Sequence, residues 1–96
     1  MSDARDIRAK EIKLAIRDVL NWEWDPLKIR DQDVEDEYDS YIAPIYRLLV
    51  ATPTREAVAH ELCKIEHEQF GFDNVEEEAL LPIADRLLEI NVRLVT

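Results

Sequence analysis

Apolar residues recur every three or four positions through most of this chain, which is the spacing of amphipathic helices. The pattern predicts four helices, at residues 3–21, about 40–51, about 54–70 and about 80–94. The chain has only one glycine, and tight β-hairpins usually need glycine or asparagine at positive φ. The sequence therefore predicts an all-α fold: one compact four-helix domain over residues 1–96, with a long irregular connection between the first two helices.

The starts of the second and third helices are marked by residues that favour helix N-termini. Asp39 or Ser40 is expected to cap the second helix, which leaves Pro44 in or near the first turn, where few backbone N–H groups have intrahelical partners. The third helix begins after Thr52, with Pro53 at its first position, or after Thr54 as the direct cap. Either choice keeps the connection between these helices short.

Two further signals bracket the connection to the last helix. Gly71 is expected to end the third helix in a left-handed conformation. Asn74 followed by Glu77 has the spacing of a capping box. Pro82 is expected to separate a short helical turn from the final helix.

The first helix carries apolar residues on two sides. Ile12 and Ile16 lie on the main apolar face, whereas Ile7 and Leu14 fall almost opposite. The prediction for Ile7 and Leu14 is cover by another segment of the chain. The alternative is a homodimer contact through the same two residues.

The stretch from residue 22 to residue 47 combines aromatic rings with concentrated acids. It contains both tryptophans and all three tyrosines. Its first part, residues 22–39, is predicted to be irregular, and long irregular connections in compact domains tend to be functional. Trp22 and Tyr46 are expected inside the protein, and Trp24 and Tyr41 nearer the surface.

This stretch is the expected binding surface for a protein partner, because aromatic residues are enriched in binding hot spots. The net charge is −10, which favours a basic protein and disfavours nucleic acid and anionic membranes. No apolar run is long enough to span a membrane, and the N-terminus lacks a signal-peptide core, so we expect a cytoplasmic protein. The candidate partner-binding residues are Trp24, Asp31, Asp33, Glu35, Asp36, Glu37 and Tyr41.

Catalytic and metal-binding patterns are incomplete. His60, Cys63 and His67 have helical spacing, but Lys64 lies between the two histidines and opposes a cation. The acids that begin at Asp31 lack the glycine and the final glutamate of a calcium loop. We therefore predict no metal site, no cofactor and no catalytic residue. The leading function is a non-enzymatic protein-interaction module, for instance an inhibitor or immunity-type protein. The alternatives are a small carboxylate- or metal-dependent enzyme and a homodimeric structural protein.

Three short motifs resemble those of a group of small bacterial proteins with a domain of unknown function. They are W-D-P at 24–26, E-Y-D-x-Y at 37–41 and Y-R-L-L at 46–49, with further similarity at 60–62 and 65–66. The resemblance covers about residues 12–90. It implies an all-helical fold in which the connection between the first two helices is a shared structural element, and it names no catalytic residue.

Overall fold

A computed structural model describes residues 4–26, 28 and 38–92 of the chain. Its described residues are helical with no β-strand, which confirms the all-α prediction. The α-helices are α1 (Ala4–Asp18), α2 (Ile42–Val50), α3 (Arg55–Glu68) and α4 (Leu81–Leu88). A π-helical segment (Val19–Trp24) continues α1, and 3-10 turns (Asp39–Tyr41 and Glu77–Leu80) lead into α2 and α4.

One apolar core joins these elements. α3 packs against α4, α1 packs against α2, and the π-helical segment also contacts α4. Each helix contributes one side to the core, as its apolar spacing requires. The buried hydrophobic residues are Ile12, Ile16, Val19, Leu20, Trp24, Tyr38, Ile42, Ile45, Leu49, Val58, Ala59, Leu62, Ile65, Leu80, Ala84 and Leu87.

The first connection departs from the prediction at its start. Residues 22–24, expected to be irregular, belong to the π-helical segment, which closes with the backbone N–H of Asp25 donating to the carbonyl of Leu20 at 2.9 Å. This i→i+5 pattern is wider than an α-helical turn. Asp25 then takes a left-handed conformation with φ of 33°, which ends the helix.

The predicted helix starts are partly confirmed. The Thr54 side chain accepts a hydrogen bond from the N–H of Ala57 at 3.1 Å and caps α3. The expected cap of α2 is wrong: Tyr41 occupies the N-cap position, and no side chain caps that end. Pro44 lies in the first turn of α2, as predicted. Gly71 has φ of +70° just beyond α3, as a left-handed stop requires.

The last helix is shorter than predicted. It ends at Leu88, and residues 89–92 are not helical. The capping box at Asn74 is also wrong, because Glu76 occupies the N-cap position of the 3-10 turn and makes no side-chain cap bond. Pro82 lies in the first turn of α4, where its missing N–H breaks no intrahelical bond.

None of the helices that the structure describes combines the length and the apolar character needed to cross a membrane.

Candidate interaction surface

The two tryptophans lie on opposite sides of the π-helical segment. Trp24 is 4% exposed and belongs to the core, whereas Trp22 is 56% exposed. The prediction that Trp22 is inside and Trp24 nearer the surface is therefore wrong for both. The wide i→i+5 turn changes the direction of each side chain relative to an α-helix. Trp24 consequently cannot present its ring to a partner.

Trp24 is the centre of a cluster of aromatic rings that joins both ends of the first connection to Phe70, just beyond α3. Its ring centroid lies 5.5 Å from that of Tyr38, 6.1 Å from that of Phe70 and 6.2 Å from that of Tyr41. Tyr41 is half-buried and meets Trp24 and Phe70 edge-on. Edge-to-face pairs add to the free energy gained by burial. Tyr41 therefore contributes to the core and presents only part of its ring to solvent. Tyr46 is half-buried and packs against the same core.

Asp25 is a buried carboxylate that sequence reasoning missed. It is 0% exposed, and its Oδ1 accepts a hydrogen bond from the hydroxyl of Tyr38 at 2.9 Å. This bond joins the W-D-P motif to the E-Y-D-x-Y motif. The only sequence signal for a buried Asp25 is its position before Pro26, in a segment predicted to be irregular. Asp25 is therefore structural and is not part of an exposed acidic surface.

Asp39 binds the first helix. The guanidinium of Arg17 donates from Nε to Oδ1 at 3.0 Å and from its terminal nitrogen to Oδ2 at 2.8 Å. Both side chains are 28% exposed, so the pair is partly shielded from solvent. Two parallel bonds fix the geometry better than one. Asp39 therefore holds the start of α2 against α1 and does not cap α2.

Carboxylates surround the exposed Trp22. A surface groove of about 480 Å³ lies between the end of α1 and α4. Arg86 in this groove donates to Glu23 at 2.8 Å and to Glu89 at 2.9 Å, so its charge is shared between two acids. We call this surface the Trp22 groove; its lining includes Asp18, Val19, Trp22, Glu23, Arg86 and Glu89.

Ile7 and Leu14 are also exposed, at 54% and 53%. The prediction that another segment of the chain covers them is wrong. Both lie on the outer face of α1, away from Ile12 and Ile16 in the core.

His60, Cys63 and His67 do not converge. His60 Nδ1 lies 2.7 Å from a carboxylate oxygen of Glu77, and His67 Nδ1 lies 3.0 Å from the carbonyl of Phe72. Cys63 is half-buried, and burial, followed by the charges of nearby glutamates, raises the pKa of its thiol. A protonated thiol is a poor nucleophile. Among the described residues, no three His, Cys, Asp or Glu side chains form a group that could hold a metal ion.

Glu66 is a partly buried acid next to the ring cluster. Burial raises the pKa of its carboxyl, while the indole N–H of Trp24 and the charge of Lys28 lower it. Among the described residues, neither Nε1 of Trp24 nor Oε2 of Glu66 has a partner at hydrogen-bonding geometry, although both atoms are shielded from solvent. The indole therefore favours the charged carboxylate only weakly, and the desolvation of Glu66 dominates.

Replacing the carboxyl of Glu66 should reduce the pH dependence of the free energy of unfolding. The folded pKa of Glu66 is raised, so its contribution to stability falls as pH increases through that folded pKa. We expect Glu66→Gln to be more stable than the wild type at pH 7, with the difference shrinking toward pH 4. Urea unfolding at several pH values measures this. Glu68→Gln removes a carboxyl from an exposed position on the same helix and is the matched control.

The remaining candidate residues, Asp31, Asp33, Glu35, Asp36 and Glu37, lie outside the described residues. Their predicted role in binding a partner stays a prediction.

Comparisons with known proteins identified no relative of this chain. Protein-family models, curated proteins and solved structures all give no match to this chain. The resemblance to the group with the W-D-P motif therefore stays a prediction.

Proposed function

We propose that this chain is a non-enzymatic interaction module that binds a basic protein partner through an aromatic and acidic surface. The observation that carries the proposal is the exposed indole of Trp22 in a groove lined by carboxylates. The proposed contact surface combines the Trp22 groove with the acids between Asp31 and Glu37. An inhibitor or immunity-type protein directed against a basic toxin or enzyme is one concrete form.

The chemistry of the Trp22 groove supports a cationic ligand. Tryptophan is the best aromatic acceptor for a cation placed over its ring, and arginine is the commonest donor of that contact. Among the described residues that line the groove, Asp18, Glu23 and Glu89 supply three carboxylates and Arg86 supplies one guanidinium. An arginine from a partner would find both an aromatic face and an unbalanced negative charge in the same groove.

The net charge of the chain supports the same class of partner. At −10, the field of the whole protein attracts basic surfaces and accelerates their association. Five of the seven residues from 31 to 37 are acidic and add to the net negative charge. Because the attraction is electrostatic, binding should weaken as ionic strength rises.

Quantitative pull-down from the source cell extract tests the proposal. We expect partners captured by the wild type at low salt to be reduced by Trp22→Ala. The combined change Glu35→Lys, Asp36→Lys and Glu37→Lys should reduce them further, because it replaces attraction by repulsion.

The matched control reverses three charges on α3, with Glu56→Lys, Glu61→Lys and Glu68→Lys. This variant should capture more of the partner than the variant with Glu35, Asp36 and Glu37 reversed. Identical partners at low and high salt, captured equally by all variants, would contradict the electrostatic proposal.

A further inference from the structure

The outer face of α1 carries a regular stripe of alternating apolar and acidic residues. Ile7, Glu11, Leu14 and Asp18 follow one another at intervals of four, three and four residues. At 100° per residue these four positions fall within an arc of about 60°. Trp22 continues the series four residues later. We call these five residues the α1 stripe.

The α1 stripe is exposed along its length. Ile7, Leu14 and Trp22 are 54%, 53% and 56% exposed, and the Glu11 side chain is 59% exposed. Asp18 is exposed as well. Three of the five large hydrophobic residues that the described part of the chain exposes thus lie on this one face. Such clustering marks interaction surfaces, whereas single exposed apolar residues need no explanation.

The charges of the stripe decide between two occupants. If a second copy packed antiparallel, with Ile7 of each chain against Trp22 of the other, Glu11 would meet Asp18. In a parallel pair each acid would meet its own equivalent. Both arrangements place like charges opposite one another, which opposes association. The guanidinium of Arg8 bonds to Glu11 at 3.1 Å and reduces its effective charge, but Asp18 has no such neighbour among the ion pairs of the described residues.

We infer that the α1 stripe is the docking face for a basic amphipathic helix of the partner, an inference that rests on the proposed function. Apolar side chains of that helix pack on Ile7 and Leu14, and its lysine or arginine side chains pair with Glu11 and Asp18. The stripe runs over 16 residues, from Ile7 to Trp22, a length of about 22 Å. One large side chain of the partner helix enters the Trp22 groove at its end. The partner helix thus packs its apolar face on α1, as amphipathic helices do in hydrophobic grooves. The apolar anchors Ile7 and Leu14 are two turns apart, and Glu11 lies about one turn from each.

Synthetic peptides test the inference directly. The probe is a labelled lysine–leucine peptide of about 20 residues, whose leucines and lysines follow the spacing of the stripe on one helical face. The first control peptide has the same composition in scrambled order, and the second carries glutamate in place of lysine. Fluorescence anisotropy with the full-length chain measures affinity at low and high salt.

We expect the amphipathic basic peptide to bind more tightly than either control peptide. Leu14→Ser and Trp22→Ala should each weaken that binding about tenfold, the effect of losing an anchor residue. Glu11→Lys combined with Asp18→Lys should weaken it more, mainly at low salt. Val50→Ser is the matched protein control, because Val50 is 51% exposed outside the stripe, and it should change affinity less than twofold. All substituted positions are exposed, so unchanged melting temperatures should confirm folding.

The peptide and pull-down results together distinguish failure of the α1 docking face from failure of the proposed function. Equal binding of the scrambled peptide, absence of binding, or insensitivity to the stripe variants would overturn the α1 docking face. If the stripe variants bind like the wild type while the reversal of Glu35, Asp36 and Glu37 abolishes partner capture, the proposed function stands and the docking face falls. Light scattering that shows a dimer dissolved by Leu14→Glu would also overturn the inference, since a second copy would then occupy the stripe.

Discussion

Replacing Trp24 by alanine is expected to lower the free energy of unfolding by about 3–5 kcal/mol. The ring is 4% exposed and contacts Tyr38, Tyr41 and Phe70, so its removal leaves a cavity that these rings cannot all fill. In a chain of 96 residues this is a large share of the total stability. The variant should be partly unfolded at physiological temperature.

Trp22→Ala is the matched control for this prediction. It removes the same side chain two residues earlier, at a position 56% exposed, and should change stability by less than about 0.5 kcal/mol. Urea denaturation followed by circular dichroism measures both variants, because each retains one tryptophan and fluorescence would not be comparable. Equal losses at the two positions would contradict the placement of the tryptophans by the π-helical segment.

The features that were predictable from sequence have local physical causes. The presence of only one glycine disfavoured hairpins and favoured helices. Thr54 caps α3 and Gly71 stops it, since each acts on backbone groups within a few residues of itself. Pro44 restricted where α2 begins for the same reason. Such signals need no knowledge of the rest of the fold.

The tryptophans were misplaced because residues 22–39 were predicted to be irregular, so no helical geometry was applied to Trp22 or Trp24. Val19–Trp24 instead continues the helix with i→i+5 hydrogen bonds and winds less per residue than an α-helix. Within this segment Trp24 is buried in the core and Trp22 is exposed. No residue in that segment marks a π-helix in advance. A binding surface was predicted in this stretch and stays a prediction; among the aromatic rings that the structure describes there, Trp22 is exposed.

The roles of the acids were misjudged because their partners are distant in sequence. Asp25 and Tyr38 are separated by 13 residues, and Arg17 and Asp39 by 22. Nothing in the local pattern shows that the two ends of the connection are joined. Without that knowledge, an acid in an irregular stretch looks solvated, and Asp39 before α2 looks like a cap. Counting the acids of the connection therefore overestimates the number of carboxylates that it exposes to a partner, because Asp25 and Asp39 form hydrogen bonds within the protein.

Tyr38→Phe should lower the free energy of unfolding by about 1.5–3 kcal/mol, the typical contribution of a hydrogen bond to a charged group. The hydroxyl of Tyr38 donates to Asp25 at 2.9 Å, and both residues are 1% exposed or less. The substitution keeps the ring and its contacts, so the loss reflects the buried carboxylate deprived of a donor. Tyr41→Phe removes a hydroxyl from a half-buried ring of the same cluster and should have a smaller effect.

A double-mutant cycle isolates the bond between these two residues. Asp25→Ala removes the acceptor, and in its background Tyr38→Phe should cost much less than in the wild type, because the hydroxyl no longer has a buried carboxylate to satisfy. Asp25→Asn should retain part of the stability, since asparagine tolerates the φ of 33° and keeps an acceptor oxygen. Chemical denaturation of the four cycle members gives the coupling energy directly. If the two single losses simply add, the bond between Asp25 and Tyr38 does not hold the ends of the connection together, and the ring cluster alone must do so.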